Sequence, residues 1–405
     1  MDKTKGNPHL MKKINKSNIL SLIYHQGTIS RADISRYTKL NKATVSSLVG
    51  ELKFEGFVIE SGIGTSSGGR RPLLLRFNQH AGSIIGIELG VNFIYIILTD
   101  LCANVLWEEK VKTDSLTQQD ILNILLSLIS KAMNHAPKTK YGIIGLGIGV
   151  PGIVNVNKGQ ILYAPNLNWE DICLTLLIKS KFPKILTKID NEANLAALGE
   201  KWFGAGKNYH NLTYISSGIG VGAGIIINGQ LHYGADGVSG EVGHTTIEIN
   251  GIKCSCGNYG CWEMYASEKA VKRRLIEENY ANQFSLSPEE IGHITMDELC
   301  NLAKQNEPSV IQVLNEVGYY LGIGIANTIK YYNPEAIIIG NEISKVKKWL
   351  RRPIDQVIKR QRLIQQSRYP DIVFSKLNEK SCALGAVASI LNKVLQFETP
   401  FTNTQ

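Results

Sequence analysis

Apolar residues recur at helical spacing at Ile19, Leu20, Leu22 and Ile23 until Gly27 ends the run. Ser30 then opens a short helix reaching about Thr38, with Asp33 standing where a capping box would carry glutamate. A third helix starts behind Asn41 as N-cap and carries Val45, Leu48, Val49, Leu52 and Phe54 on one face up to Gly56. Short helix, tight turn, longer helix is a helix-turn-helix pattern. Two β-prone runs follow, 57–60 and 73–77, separated by a glycine-rich tip, 62–72, that holds Gly68, Gly69, Arg70 and Arg71. This predicts a hairpin wing with a basic end.

Beyond about residue 80 the pattern restarts. Strands are predicted at 83–89 and 93–101, a helix at 117–133, and a buried strand at 141–150 that stops at Pro151-Gly152. A strand at 185–189 leads through Asp190-Asn191 into a helix at 192–203. Next come a glycine-rich hairpin at 212–228, a helix at 318–331, a strand at 336–340 and a last helix around 382–395. Alternation of this kind predicts an α/β body of two lobes. A chain of 405 residues exceeds one ordinary domain. The expected division is a winged helix-turn-helix domain at 1–80 and a body at 81–405.

The balance of 43% hydrophobic and 20% charged residues is that of a soluble protein. No apolar run approaches the roughly 20 residues that cross a bilayer, and Met1 to Lys16 is polar and basic rather than signal-like. A cytoplasmic location without membrane contact is the expectation. Charge sharpens the picture, because Met1 to His80 holds 13 Lys and Arg against 5 Asp and Glu, a surplus of 8 out of a net +9. A basic head on a near-neutral body points to nucleic acid. Within it, Ser30 and Arg31 at the start of the second helix and Asn41, Lys42, Thr44, Ser46 and Ser47 on the polar side of the third can reach phosphates and base edges. Gly69, Arg70 and Arg71 suit a narrow minor groove. One short recognition helix reads few bases, so a homodimer on palindromic double-stranded DNA is expected.

Seven cysteines, an odd number, argue against a disulfide framework. Cys102, Cys173, Cys300 and Cys382 are scattered among apolar residues and read as core filler. Cys254, Cys256 and Cys261 are crowded, and with His244 they offer three thiolates and an imidazole. That soft set suits a closed, structural Zn²⁺ site with no position open for water.

Four segments occur in a characteristic order: Pro151-Gly152, Asp190-Asn191-Glu192-Ala193-Asn194 with Gly199-Glu200, Gly240-Glu241-Val242-Gly243-His244, and Cys254-x-Cys256-Gly257-x-x-Gly260-Cys261-Trp262-Glu263. In order and spacing they resemble the ROK family of repressors and sugar kinases, and the winged head resembles that of its repressor branch. The fold implied is the two-lobed actin-like, ribonuclease-H-like ATPase fold with a structural zinc loop. The resemblance further implies sugar contacts at Asn191, Glu192, Glu241, His244 and Glu263, with Asn166 as an addition, His244 serving both zinc and sugar. Carboxylates and amides fit this task because each can pair with neighbouring ring hydroxyls.

Kinases of this family open with Asp-x-Gly-Gly-Thr, where this chain has Glu88-Leu89-Gly90-Val91-Asn92. Their second phosphate turn, Gly-Thr-Gly, is here Gly218-Ile219-Gly220, and a later glycine turn is Gly340-Asn341-Glu342. Glu192 replaces the catalytic aspartate. Each change weakens phosphate binding or phosphoryl transfer, so the expectation is a sensor without enzyme activity, the alternative being a kinase that still phosphorylates a hexose. Among repressors of the branch, the Ser-Ser-Gly-Gly-Arg-Arg-Pro wing and the cysteine loop look most like those of Gram-positive bacteria that answer to xylose. The extra methylene of Glu192 would crowd the hydroxymethyl arm of a hexose and fill the space a pentose leaves. Xylose is therefore the expected effector and glucose a competitor.

Overall fold

The computed structural model describes residues 8–64, 71–277, 286–361 and 369–397. The head consists of α1 (Pro8–Gln26), β1 (Thr28–Ser30), α2 (Arg31–Thr38), α3 (Lys42–Phe54), β2 (Val58–Ile63) and β3 (Leu73–Phe77). Its sheet has the order β1-β3-β2, all antiparallel. Helix α1 begins eleven residues before Ile19, where the predicted apolar run opens. Pro8 stands at its first position, where a missing N–H costs nothing, but the first turns expose Leu10, Met11 and Ile14 and so carry no buried stripe to read. Asn41 caps α3 as expected, its Oδ1 accepting from the Thr44 N–H at 2.8 Å. Lys39 takes a left-handed φ of 58° to turn the chain between α2 and α3.

The body holds two sheets of the same design. In the first, β4 (Ser83–Leu89), β5 (Phe93–Asp100) and β6 (Val105–Lys112) form an antiparallel meander, and β7 (Ile143–Val150) and β11 (Leu186–Asn191) extend it in parallel, giving the order β11-β7-β4-β5-β6. In the second, β12 (Leu212–Ser217), β13 (Val221–Ile227) and β14 (Gln230–Leu231) form the meander, and β15 (Ala336–Gly340) and β16 (Asp371–Phe374) the parallel extension, giving β14-β13-β12-β15-β16. Counted along the chain, both read 3-2-1-4-5. A small antiparallel sheet of β8 (Ile153–Asn155), β9 (Gln160–Ala164) and β10 (Trp169–Ile172) is inserted after β7.

Helices α4 (Gln118–His135) and α5 (Leu174–Lys181) cover the outer face of the first sheet, where Leu125, Ile129 and Ile178 are fully buried against Ile85, Ile87 and Ile148. The second lobe carries α7 (Glu263–Ala266), α8 (Glu268–Ile276), α9 (Pro288–His293), α10 (Met296–Lys304), the long α11 (Pro308–Tyr332) and α12 (Lys347–Arg360). Helix α11 begins ten residues before the expected helix, again with proline in its first turn.

The remaining two helices cross between the lobes. Helix α6 (Glu192–Phe203) leaves the first sheet and packs on β12 and β13 of the second, while α13 (Ser381–Leu395) leaves the second sheet and packs on β4 and β7 of the first. The two helices also pack closely on each other. Val387, Leu391 and Val394 of α13 share one buried cluster with Ile19, Leu20 and Ile23 of α1, so the core of the head runs on into the body. Among the described residues no helix is long and apolar enough to cross a membrane.

Candidate functional site

The wing base closes through Gly64 N–H donating to the Pro72 carbonyl at 2.8 Å. Arg71 is exposed where β3 begins, whereas Gly69 and Arg70 lie outside the described residues. Asn41, Lys42, Ser46 and Ser47 are exposed along one side of α3, with Thr44 half-buried beside them. Ser30 is buried, and its hydroxyl caps α2 by accepting from the Asp33 N–H at 3.1 Å, so its side chain is held within the turn. Arg31 is half-buried. Asp33 pairs with Arg36, Glu51 with Lys12, Glu55 with Lys16 and Glu60 with Lys53. Every described acid of the head is thus engaged by a cation, and Arg31, Lys39, Lys42 and Arg71 stand outside these pairs.

In the second lobe, Gly240 has φ +102° and a Cβ there would lie 2.1 Å from the Ala223 carbonyl oxygen. At Gly243 a Cβ would lie 1.9 Å from the Val221 carbonyl oxygen. Only bare backbone can lie this close to β13, and Glu241 and His244 are presented as a result. The cysteine loop folds back on itself through the bridges Thr246 to Cys261 and Lys253 to Tyr259, with Gly257 and Gly260 in left-handed conformation. The ligand atoms of His244, Cys254, Cys256 and Cys261 consequently lie within 4.8 Å of one another. Cys256 Sγ and Cys261 Sγ are 3.7 Å apart. That matches the edge of about 3.8 Å of a tetrahedron with metal–sulfur bonds of about 2.3 Å.

Glu263 opens α7 directly behind this loop. Its Oε1 accepts from Cys254 Sγ at 3.0 Å and is 3.7 Å from His244 Nδ1, while His244 Nε2 is 3.9 Å from Glu241 Oε2. Burial pushes the Glu241 carboxyl up, His244 opposes the shift and Glu263 adds to it. Trp262 anchors the loop. Its ring is buried, Nε1 donates to the Tyr320 carbonyl at 2.8 Å, and α11 offers Gly324 where a Cβ would lie 1.9 Å from the ring.

At the other side, Asn191 caps α6 by accepting from the Ala193 and Asn194 N–H groups, and its Nδ2 donates to the Gly152 carbonyl at 2.9 Å. The same amide therefore fixes both the helix start and the Pro151-Gly152 turn. Glu192 is the first residue of α6. Its Oε2 is buried without a hydrogen-bond partner, and burial, reinforced by the charges of Glu88 and Glu241, pushes the carboxyl up to about 8. Glu88 at the end of β4 is likewise pushed up to about 8 by burial, with Lys110 opposing and Glu342 and Glu379 adding. Asn166 is exposed, and its Oδ1 accepts from Lys269 Nζ of the facing lobe at 3.1 Å.

Sequence reasoning missed the pair that supports Asn191. Asp190, buried, accepts from the Tyr233 hydroxyl at 2.7 Å and from Asn194 Nδ2 at 3.1 Å. The four-residue spacing of Asp190 and Asn194 across a helix start was the available signal; Tyr233 had none.

The three phosphate-type turns fall at the ends of β4, β12 and β15. Gly218 N–H donates to the Gly220 carbonyl at 3.0 Å, and Asn341 Nδ2 donates to Ser216 Oγ at 3.1 Å across that turn. Glu342 is held by Lys345 at 2.9 Å.

The sequence profile of the ROK family matches residues 84–393. The xylose repressor of Caldicellulosiruptor bescii is 43% identical over 399 residues, covering 97% of this chain and 99% of that protein. Among solved structures, a ROK family transcriptional regulator, a homolog of the E. coli MLC protein, superposes with a TM-score of 0.81 at 29% identity, covering 96% of this chain and 98% of that one. A ROK family glucokinase from Streptomyces griseus, in complex with glucose and AMPPNP, gives a TM-score of 0.68 at 28% identity over 98% of its own chain but 76% of this one. The likeness to repressors thus spans head and body together, and the chain belongs to the ROK family, among its sugar-responsive transcriptional repressors.

Proposed function

We propose that this repressor answers to xylose: the head holds a palindromic operator as a homodimer in the cytoplasm, and the pentose, bound between the lobes, releases it. The observation that carries the reading is Glu192. A buried carboxyl oxygen without a partner is costly, and a ligand hydroxyl would relieve it. Glu241, Glu263 and His244 stand on the facing lobe, and Asn191 has a second N–H to give. The sugar set is thus Asn191, Glu192, Glu241, His244 and Glu263, with Asn166 a cross-lobe contact beside it. Glucose competes in the same pocket.

The donor set at His244, Cys254, Cys256 and Cys261 fits zinc, which would fix the imidazole and the loop bearing Glu263. Phosphoryl transfer is disfavoured by the residues themselves. Glu342 puts a carboxyl where a polyphosphate would lie, and Val91 adds bulk where the kinases have glycine. The body therefore senses sugar without consuming ATP. For DNA, Asn41, Lys42, Thr44, Ser46 and Ser47 read the major groove, Arg31 supports them from α2, and the wing with Gly69, Arg70 and Arg71 enters the minor groove.

Calorimetric titration of wild type and Glu192→Asp with xylose and glucose tests the site. Wild type should prefer xylose, and shortening the side chain should move the preference toward glucose. A wild type that prefers glucose, or a preference indifferent to the substitution, overturns the assignment.

A further inference from the structure

Helix α13 touches the cleft at one end and the DNA head at the other. At its start, a Cβ added to Gly149 would lie 2.2 Å from Cys382 Sγ and 3.4 Å from the Glu192 Cα. The Cys382 thiol is buried, and burial, with the charges of Glu88, Glu192 and Asp190 adding, pushes it well above its ordinary value. Along its length the helix meets bare backbone. A Cβ at Gly86 would lie 2.2 Å from the Ala383 carbonyl oxygen, at Gly147 2.4 Å from that of Ala386, and at Gly199 2.2 Å from that of Ser381. A Cβ at Gly385 would lie 1.6 Å from the Leu195 carbonyl oxygen.

Four such crossings clamp α13 between the first sheet and α6, whose first residue is Glu192. No side chain at these points can absorb a displacement by changing rotamer, so a movement of α6 passes to α13 as a rigid shift. Because each of these helices leaves one lobe and packs on the sheet of the other, closing the cleft must move them.

At its far end, the Leu395 carbonyl accepts from Ser17 Oγ at 2.9 Å. Phe397 stands edge-on to Phe57 at 6.2 Å, with the Lys16 ammonium 4.9 Å from its ring. A second junction between head and body bypasses α13: Tyr141 stacks on Phe57 at 4.9 Å, and its hydroxyl donates to the Glu55 carbonyl at 2.7 Å.

We infer that α13 is the element through which occupancy of the Glu192 cleft alters the head, with Ser17 and Phe397 as the positioning residues that hand the movement over. This rests on the reading of that cleft as the effector site.

The test measures operator Kd by fluorescence anisotropy with and without saturating xylose, and xylose Kd by calorimetry. In Ser17→Ala/Phe397→Ala, xylose Kd should stay within about twofold of wild type while the ratio of operator Kd with and without sugar falls at least about fivefold, the lower end of ordinary coupling. Tyr141→Phe should keep the ratio. Gly385→Ala presses α13 away from Leu195 and should weaken operator binding about tenfold with no sugar present. The inference is overturned by an unchanged ratio in the double variant, by an equal loss in Tyr141→Phe, or by a folded Gly385→Ala that binds operator like wild type. If Gly385→Ala does not fold, the double variant decides. If wild type is indifferent to xylose, the effector reading fails and the sugar-free Gly385→Ala arm still judges the helix.

Discussion

Replacing Glu192 by glutamine should stabilise the protein at alkaline pH and by about half as much at pH 6. The Glu192 carboxyl is held at about 8 in the fold, first by burial and then by Glu88 and Glu241. In an unfolded chain it would ionise near about 4.3. Between those values the folded protein keeps a proton that the unfolded chain has released, so stability falls as pH rises through this window and levels off above it. At about 1.4 kcal/mol per pH unit the full effect is bounded by about 5 kcal/mol. Glu192 is partly open to the cleft and Glu88 relaxes when its neighbour is neutral, so about half of that, about 2–3 kcal/mol, is expected. In a chain of this length such a gain raises Tm by about 2–4 °C. Melting curves of wild type and Glu192→Gln at pH 6 and pH 9 check it. A difference in Tm that is the same at both pH values, or a variant less stable than wild type at pH 9, would refute the reasoning.

Three further outcomes follow from the geometry. Arg71→Ala should weaken operator binding about fivefold at moderate salt and lower the slope of log K against log salt by about one; a slope equal to that of wild type would remove Arg71 from the phosphate contacts. Elemental analysis of the purified protein should find one zinc per chain, and Cys256→Ser should lose it together with the sugar response; a metal-free protein that responds fully would dismiss the zinc site. Gly324→Ala drives a methyl into the buried Trp262 ring and should cost about 2–3 kcal/mol in denaturant unfolding, whereas a cost below about 0.5 kcal/mol would show that the ring is not locked there.

Much of the site was legible because it is local. Asn41 and Asn191 cap helices that begin at the next residue, and His244 with its cysteines is a loop closed by its own glycines. Helix α6 and strand β15 match the predicted spans residue for residue. The edge strand β6 went unread because five of its eight positions are exposed and Glu108, Glu109 and Lys110 break the apolar alternation. The small sheet β8-β9-β10 turns through Asn168 and Asp171 at positive φ, which no periodicity announces. The repeat of the 3-2-1-4-5 order in two lobes is carried by strand pairing and leaves no repeated motif. The head–body junctions were invisible for the same reason, since Phe57, Tyr141 and Phe397 are far apart in the chain and each reads alone as an ordinary apolar residue. The crossing of α6 and α13 depends on glycines whose purpose shows only when the opposing backbone is in place.

The central claim is that a pentose in the Glu192 cleft loosens the head from its operator without phosphoryl transfer. The most direct measurement follows operator-bound protein by anisotropy while xylose is added, with ATP turnover monitored in the same sample. The account predicts that xylose raises the operator Kd by at least about tenfold, within the usual range of allosteric coupling, with no ATP consumed. Operator binding that ignores xylose, or sugar-dependent ATP hydrolysis, would contradict it.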